Sequence, residues 1–549
     1  MKPARLRLPS VAAMFLTGIA ALSASAQEAP PPSSFLPNGA FSDVSGTPPW
    51  PAGWEHGPDG VVSLEREDDG RPFLRIASTA PGQLVRVWID APLSEGRKGL
   101  ACDLLFRVAG FKFGSSFSND MHASWMFLDS AGKPVKGGGG GVLDSHAKTW
   151  TPFHREGLVP AGAAKARLIL SINKAASGTL DIASASFSPL ADEAAQAMID
   201  APGIAAKKEA DDRAALPALL ALPSKAAWLH VEGNRIADPG GKTVVLRGVN
   251  VESLEWSPTG EQVLRTTKVA LVDWKANVVR LPVIDDFWFG RGKPPRSTSN
   301  DAEAYRKLVD DVVRLAAGQG AHVVLDLHRF RAPTEAHVAF WKDAAARYKN
   351  EPAVLFDLFN EPGGVSWDVW KNGGDVTDKP KGGGDPVVNH FVGMQALLDA
   401  VRSTGAKNIV LAGGLASAYD LQGLAQGFTL EEKGGNGIVY SVHFYNWHKN
   451  WQKHFLFLAE QYPLFVGETG ADVKKMPFIP GNQQEDPSTW VPATLGMIQQ
   501  YGLSWTAFSL HPKSTPVLIS DWSYTPTPFW GVPVQQALVG KAFPEGSTR

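Results

Sequence analysis

The chain has 549 residues, more than one hydrophobic core holds, so two or more domains are expected. Its formal charge of −2 at pH 7 argues against a nucleic-acid binder or a basic membrane-surface protein. The single cysteine, Cys102, excludes an internal disulfide and reads as a small buried hydrophobe.

Residues 1–26 read as a cleavable export signal. Lys2, Arg5 and Arg7 give a basic start, and 11–22 is mostly apolar but short for a bilayer span. Ala24-Ser25-Ala26 is a small-x-small site, which predicts cleavage after Ala26 and a secreted or periplasmic protein. No later run reaches about 18 apolar residues, so no membrane anchor is expected. Residues 27–34 are Pro-rich and read as a stiff linker.

From 35 to 190 the texture is β. Runs at 60–65, 73–76, 83–89, 101–108 and 166–172 alternate or are apolar, with Gly, Pro, Asp and Ser between them. Short strands with turn signals predict an all-β sandwich. The glycine run 137–141 reads as a flexible loop tip. Pro37-Asn-Gly-Ala-Phe41, Trp54 and the closing Leu180-Asp-Ile182 to Phe187 make this region similar to jelly-roll carbohydrate-binding modules. Residues 191–223 shift to Ala, Lys, Asp and Glu and read as a helical or loose linker.

From 224 to 549 the pattern changes. Gly233-Asn234 and Pro239-Gly-Gly241 mark hairpin turns. Eight strand-like runs follow, at 244–250, 277–283, 322–328, 353–360, 408–413, 438–445, 463–468 and 503–510. Helical patterns lie between most of them, at 260–274, 301–317, 335–348, 389–401 and 490–501. This is the signature of an α/β fold, a (β/α)8 barrel. The long Gly-rich stretch 363–384 reads as an active-site loop after the fourth strand.

Several strands end in polar residues, at the barrel rim where chemistry is done. Asn250 ends the first, Arg280 lies in the second and His328 ends the third. Asn360 and Glu361 end the fourth, Asp420 follows the fifth, and His443 and Tyr445 close the sixth. Glu468 ends the seventh and Phe508 stands near the end of the eighth. Such a set at buried strand ends is costly unless its members bond one another. Two glutamates suit glycoside hydrolysis, in which one carboxyl keeps its proton for the leaving oxygen and the other is an ionised nucleophile. Arg280 and the Tyr445 hydroxyl are placed to hold Glu468 ionised, and that negative charge favours a protonated Glu361. Asn360 suits a sugar 2-hydroxyl, and His328 and His443 suit hydroxyls or the carboxylates.

The words Leu246-Arg-Gly-Val-Asn250, Val279-Arg280-Leu-Pro282, Leu325-Asp-Leu-His328, Asn360-Glu361-Pro362, His443-Phe-Tyr445 and Gly467-Glu468-Thr-Gly470 come in this order. In that order, residues 229–538 resemble glycoside hydrolase family 5, the retaining cellulase-type barrels. The resemblance implies Glu361 as acid/base and Glu468 as nucleophile. Arg280, His328, Asn360, His443, Tyr445 and Phe508 are implied as the supporting and sugar-binding shell. It implies no metal and no cofactor. Phe508 stands where the family usually has Trp as a sugar platform, which leaves the sugar specificity open. The expected partner is a polysaccharide or oligosaccharide, with a β-1,4-glucan first and a β-mannan, xyloglucan or β-1,3-glucan as alternatives; the protein is expected to be a monomer. A non-catalytic polysaccharide-binding barrel is the reading from another class, disfavoured by the intact glutamates. The aromatics Trp256, Trp288, Trp367, Trp447, Trp451, Trp505, Trp522 and Trp530 divide between core and platform.

Overall fold

The computed structural model describes residues 34–112, 121–145, 147–292, 299–379, 383–473, 476, 479 and 483–544. The expected export signal and nearly all of 27–34 lie outside the described residues. The chain divides into two compact units, Met1–Ile204 and Ala205–Arg549.

The first unit holds two five-stranded antiparallel sheets. One orders Thr151–Leu158, Gly99–Lys112, Ser177–Pro189, Pro72–Ser78 and Val61–Arg66; the other orders Glu55–His56, Leu84–Pro92, Lys165–Asn173, Met121–Leu128 and Pro134–Val142. Strand alternation builds the core. Val85, Val87, Ile89 and Ala91 from one sheet bury with Ile76, Leu104, Phe106 and Leu180 from the other, giving the expected sandwich. Cys102 lies in this core, and burial pushes its thiol upward.

The glycine run 137–141 is not a loop tip. It completes the edge strand Pro134–Val142, in register Ser124↔Gly140 and Trp125↔Gly139 with Met121–Leu128. The reason is steric. A β-carbon on Gly139 would stand 2.2 Å from the Trp125 ring, so a bare backbone is needed where the strand crosses the indole. The expected linker 191–223 is mostly one helix, Asp192–Leu220, and the division between the two units falls inside it.

In the second unit eight parallel strands close a barrel in chain order: Arg247–Asn250, Val278–Val283, His322–Leu327, Val354–Asp357, Val410–Gly413, Ile438–Tyr445, Leu464–Gly470 and Ser504–Ala507. The first pairs with the last. Side chains on a strand alternate, so every second residue enters the barrel. The lowest inward layer is apolar, with Val278, Val324, Leu355, Leu411, Val439 and Phe465. It packs on Leu229 and Ile236 of the preceding hairpin, His230–Glu232 with Arg235–Ala237. Two residues further up, the same positions carry Arg280, Asp326, Asp357 and Ser441, all with 0% exposure. Two more bring His328 and His443 to the rim. The alternation that packs the barrel floor thus delivers the polar groups to its C-terminal mouth.

Helices surround the strands near their expected places. Ala302–Gly318 starts at Asp301, whose carboxylate accepts from the backbone N–H groups of Glu303 and Ala304. Glu335–Tyr348 and Pro487–Gln500 follow the sequence pattern. The helix expected at 260–274 is Val263–Lys268, widening into a π turn at Val269–Asp273. The helix expected at 389–401 begins later, at Gly393–Ser403, because Val387–Phe391 pairs with Gly374–Asp378 as a hairpin. That hairpin and the short helix Trp367–Asn372 give structure to most of the stretch read as an open loop at 363–384. Among the described residues, no helix is long and apolar enough to cross a membrane.

Candidate active site

Arg280 is the hub of the barrel mouth. Its guanidinium donates to Glu468 Oε1 at 2.8 Å, Asn360 Oδ1 at 2.8 Å, Asn250 Oδ1 at 3.1 Å and Asp357 Oδ2 at 3.1 Å, and lies 3.1 Å from Asp326 Oδ2. Burial opposes the charge, but Asp326, Asp357 and Glu468 outweigh it and raise the arginine further. A buried carboxylate without such a partner would be strongly destabilising, so these groups stand or fall together. Asn250 also donates its amide to the Gly467 carbonyl at 3.0 Å, tying the first strand to the seventh beneath Glu468.

Glu468 is buried, and burial alone would keep it protonated. The neighbours His443, Arg280 and His328, and the Tyr445 hydroxyl, reverse this and hold its carboxyl at about 2. Tyr445 donates to Oε2 at 2.5 Å, so each carboxylate oxygen has its own donor. A register shift between Val466 and Thr469 relative to the eighth strand turns this residue into the mouth.

Glu361 sits on an extension of the sheet. Asn360 and Glu361 donate their backbone N–H groups to the carbonyls of Leu327 and Arg329, each at 3.1 Å, and Glu361–Pro362 pairs with Phe330–Arg331. The Glu361 carboxyl is less buried than that of Glu468. His443 stands between the two, its Nδ1 3.3 Å from Glu361 Oε1 and 3.6 Å from Glu468 Oε2. One oxygen of each glutamate and a ring nitrogen of His443 lie within 4.8 Å of one another. His328 is fixed by Asp326 at 2.8 Å; burial lowers its basicity, and Asp326 more than restores it.

A cavity of about 400 Å³ opens beside Glu361, bordered also by His443, Tyr445, Trp447 and Phe508. Trp447 stacks on Tyr445 with ring centroids 4.8 Å apart and planes 9° apart. Of the ten residues read at the strand ends, nine, all but Asp420, are thus brought to one mouth. Asp420 is not joined to them by any hydrogen bond among the described contacts; it accepts from Gln422 and faces His454. Of the aromatics, Trp288, Trp451, Trp505 and Trp530 are core, while Trp256 and Trp522 both meet His511 at a half-buried edge.

The family model Cellulase (glycosyl hydrolase family 5) matches residues 237–514, a span that contains both glutamates and the whole shell around Arg280. The chain belongs to that family. This family 5 glycoside hydrolase is 24% identical over 369 residues to an endoglucanase of Paenibacillus polymyxa, covering 57% of this chain and 86% of the relative. Endoglucanase A of Butyrivibrio fibrisolvens is 27% identical over 256 residues, covering 44% of this chain and 52% of that protein. Among solved structures, a β-glucanase of Saccharophagus degradans in complex with cellotetraose is 23% identical, with a TM-score of 0.47 over 58% of this chain and 94% of its own.

Four features of this hydrolase's site escaped the sequence reading. Asp326 and Asp357 are the carboxylates that brace Arg280; a charged residue inside each apolar run was the available signal. Glu252, just beyond the first strand, is buried, and burial together with Glu255 and Glu468 raises its carboxyl well above the ordinary range. Ala416, Ser417 and Ala418 form a left-handed turn, φ 55, 58 and 60, of which the first two border the cavity. No glycine or asparagine marks that turn. Phe330, paired in register with Glu361, is exposed.

Proposed function

We propose that this protein is a retaining endo-β-glycanase acting on β-1,4-glucan, with Glu468 as nucleophile and Glu361 as acid and then base. The observation that carries this reading is the spacing of the two carboxyls, one oxygen of each lying within 4.8 Å of the other. Retaining pairs stand about 5–5.5 Å apart, whereas inverting pairs need roughly 6.5–9.5 Å to admit water between them.

The chemistry follows from the environments. Glu468, held ionised by Arg280 and Tyr445, attacks the anomeric carbon as Glu361 gives its proton to the leaving oxygen. The C–O bond to the leaving sugar breaks and a glycosyl ester forms on Glu468. Glu361, now ionised, takes a proton from water as that water attacks the same carbon and frees Glu468. Two inversions leave the anomeric configuration retained. Asn360 spends its carbonyl oxygen on Arg280, which leaves its amide N–H groups for a sugar 2-hydroxyl. His443 stands between the two carboxyls, its Nδ1 3.3 Å from Glu361 and 3.6 Å from Glu468.

Glucan is favoured by the family and by the endoglucanase names of the relatives. Phe508, in place of a larger indole, is the observation that favours a different β-glycan. The basic start, apolar run and Ala24-Ser25-Ala26 support an exported protein that meets polysaccharide outside the cell. The test is reducing-sugar release from carboxymethylcellulose, mannan, xyloglucan and β-1,3-glucan. Release from carboxymethylcellulose with internal cuts is expected. Release from another glycan alone overturns the substrate, and inactivity on every glycan overturns the reading.

A further inference from the structure

Among the described residues Phe330 is the one Phe, Trp or Tyr that is exposed, with 60% of its surface open. A lone exposed phenylalanine needs no explanation by itself. Its position does. Phe330–Arg331 pairs in parallel with Glu361–Pro362, in register Phe330↔Glu361. Partners in register share a face, so Phe330 stands on the face from which Glu361 reaches the mouth, one strand spacing of about 4.8 Å away. The ring of His328, two residues earlier and on that same face, meets Phe330 edge-on with centroids 5.4 Å apart.

The ring is also held in place from behind. Arg331 has φ 80, an unusual conformation for a side chain with a β-carbon. Its guanidinium donates to Asp378 at 2.8 Å and lies over Phe391, 5.0 Å from the centroid, so both arms of the hairpin grip it. Its carbonyl accepts from Gly363 N–H at 2.8 Å. A backbone clamped on three sides presents the Phe330 ring at little further cost in order.

Apart from Glu361, the cavity is lined by residues in or after the fifth to eighth strands, such as Ser417, His443, Met476 and Phe508. Phe330 belongs to the extension of the third strand, on the other flank of Glu361. We propose that Phe330 is a stacking platform for a pyranose ring, extending the glycan-binding surface across Glu361 to the side away from the cavity. This rests on the glycan-hydrolase reading above. The apolar C–H face of a β-linked sugar covers the ring, and contacts on both flanks of Glu361 place the cut bond inside the chain.

The test compares Phe330→Ala, Phe330→Trp and the unaltered full-length protein on cello-oligosaccharides of increasing length. For Phe330→Ala, kcat/KM is expected to fall about tenfold on the longest oligosaccharides and less on the shortest. The ratio of products from a given oligosaccharide shifts, since the favoured binding frame changes. Phe330→Trp restores both. An active unaltered protein with unchanged rates and product ratios in Phe330→Ala overturns the platform and leaves the hydrolase reading standing. Inactivity of the unaltered protein on every β-glycan overturns both.

Discussion

Gly467 leaves the space that His443 fills: a β-carbon on Gly467 would stand 2.7 Å from the His443 Nε2. The residue before the proposed nucleophile and the residue that stands between the two carboxyls are therefore fitted to one another. Gly467→Ala is expected to displace His443 from Glu361 and to lower stability by about 1–3 kcal/mol, the usual cost of overpacking. kcat should fall more than KM changes. The check is a double-mutant cycle by thermal unfolding. In a His443→Ala background the stability loss from Gly467→Ala should shrink, because the ring that caused it is gone.

The barrel was legible in the sequence because its strands are buried on both faces and end in polar residues. The polar residues expected at the mouth, Asp420 excepted, stand there for the same reason: a polar group at a buried strand's end has few other places to satisfy itself. What stayed hidden depended on neighbours distant in sequence. The glycine run at 137–141 has the composition of a loop, and only the Trp125 ring across the ladder explains why it is a strand. Exposure of Phe330 comes from a two-residue sheet extension too short to leave a periodic signal.

Tyr445→Phe removes the donor from Glu468 Oε2 while keeping the ring that stacks on Trp447. Glu468 sits at about 2 against an ordinary 4.5, so its folded-state value is depressed. The stability it contributes is present above the ordinary value and is lost as pH falls from 4.5 toward about 2. Without the hydroxyl the depression shrinks. The acid limb of kcat/KM should move to higher pH, and kcat/KM at neutral pH should fall roughly tenfold to a hundredfold, the worth of a hydrogen bond to a charged group. A pH–rate profile with an unmoved acid limb would show that the hydroxyl does not set the state of Glu468.

Where the barrel can be cut free is set by the helix Asp192–Leu220. Asp212, in its second half, is buried and accepts from Arg265 at 3.0 Å and Lys268 at 2.8 Å; Arg265 is itself only 2% exposed. A chain beginning at 221 strips Asp212 and takes from Arg265 and Lys268 their shared partner, at a cost of about 1.5–3 kcal/mol, the worth of a hydrogen bond to a charged group. A chain beginning at 205 keeps the pair. The longer form should melt several degrees higher and retain activity on short soluble oligosaccharides, since every proposed catalytic group follows residue 246. If the sandwich binds glycan, the loss on removing it should be confined to polymeric substrate, through lost effective concentration. Loss of activity on short oligosaccharides by a folded 205–549 chain would place part of the active site in the sandwich.

The two glutamates should separate by chemistry. Glu361→Ala removes the proton donor, so hydrolysis of unactivated glucans should fall by roughly 100-fold to 10,000-fold. Aryl glycosides with good leaving groups need little protonation and should still form the ester on Glu468. With the base absent, that ester is slow to meet water, and added azide, which needs no base, should speed turnover and yield a β-glycosyl azide. Glu468→Gln should show no azide rescue, because the first displacement never occurs. Proton NMR of early hydrolysis by the unaltered protein should show the β-anomer first. Early α-anomer from a β-linked substrate would mean a single displacement, and Glu468 could then not be the nucleophile.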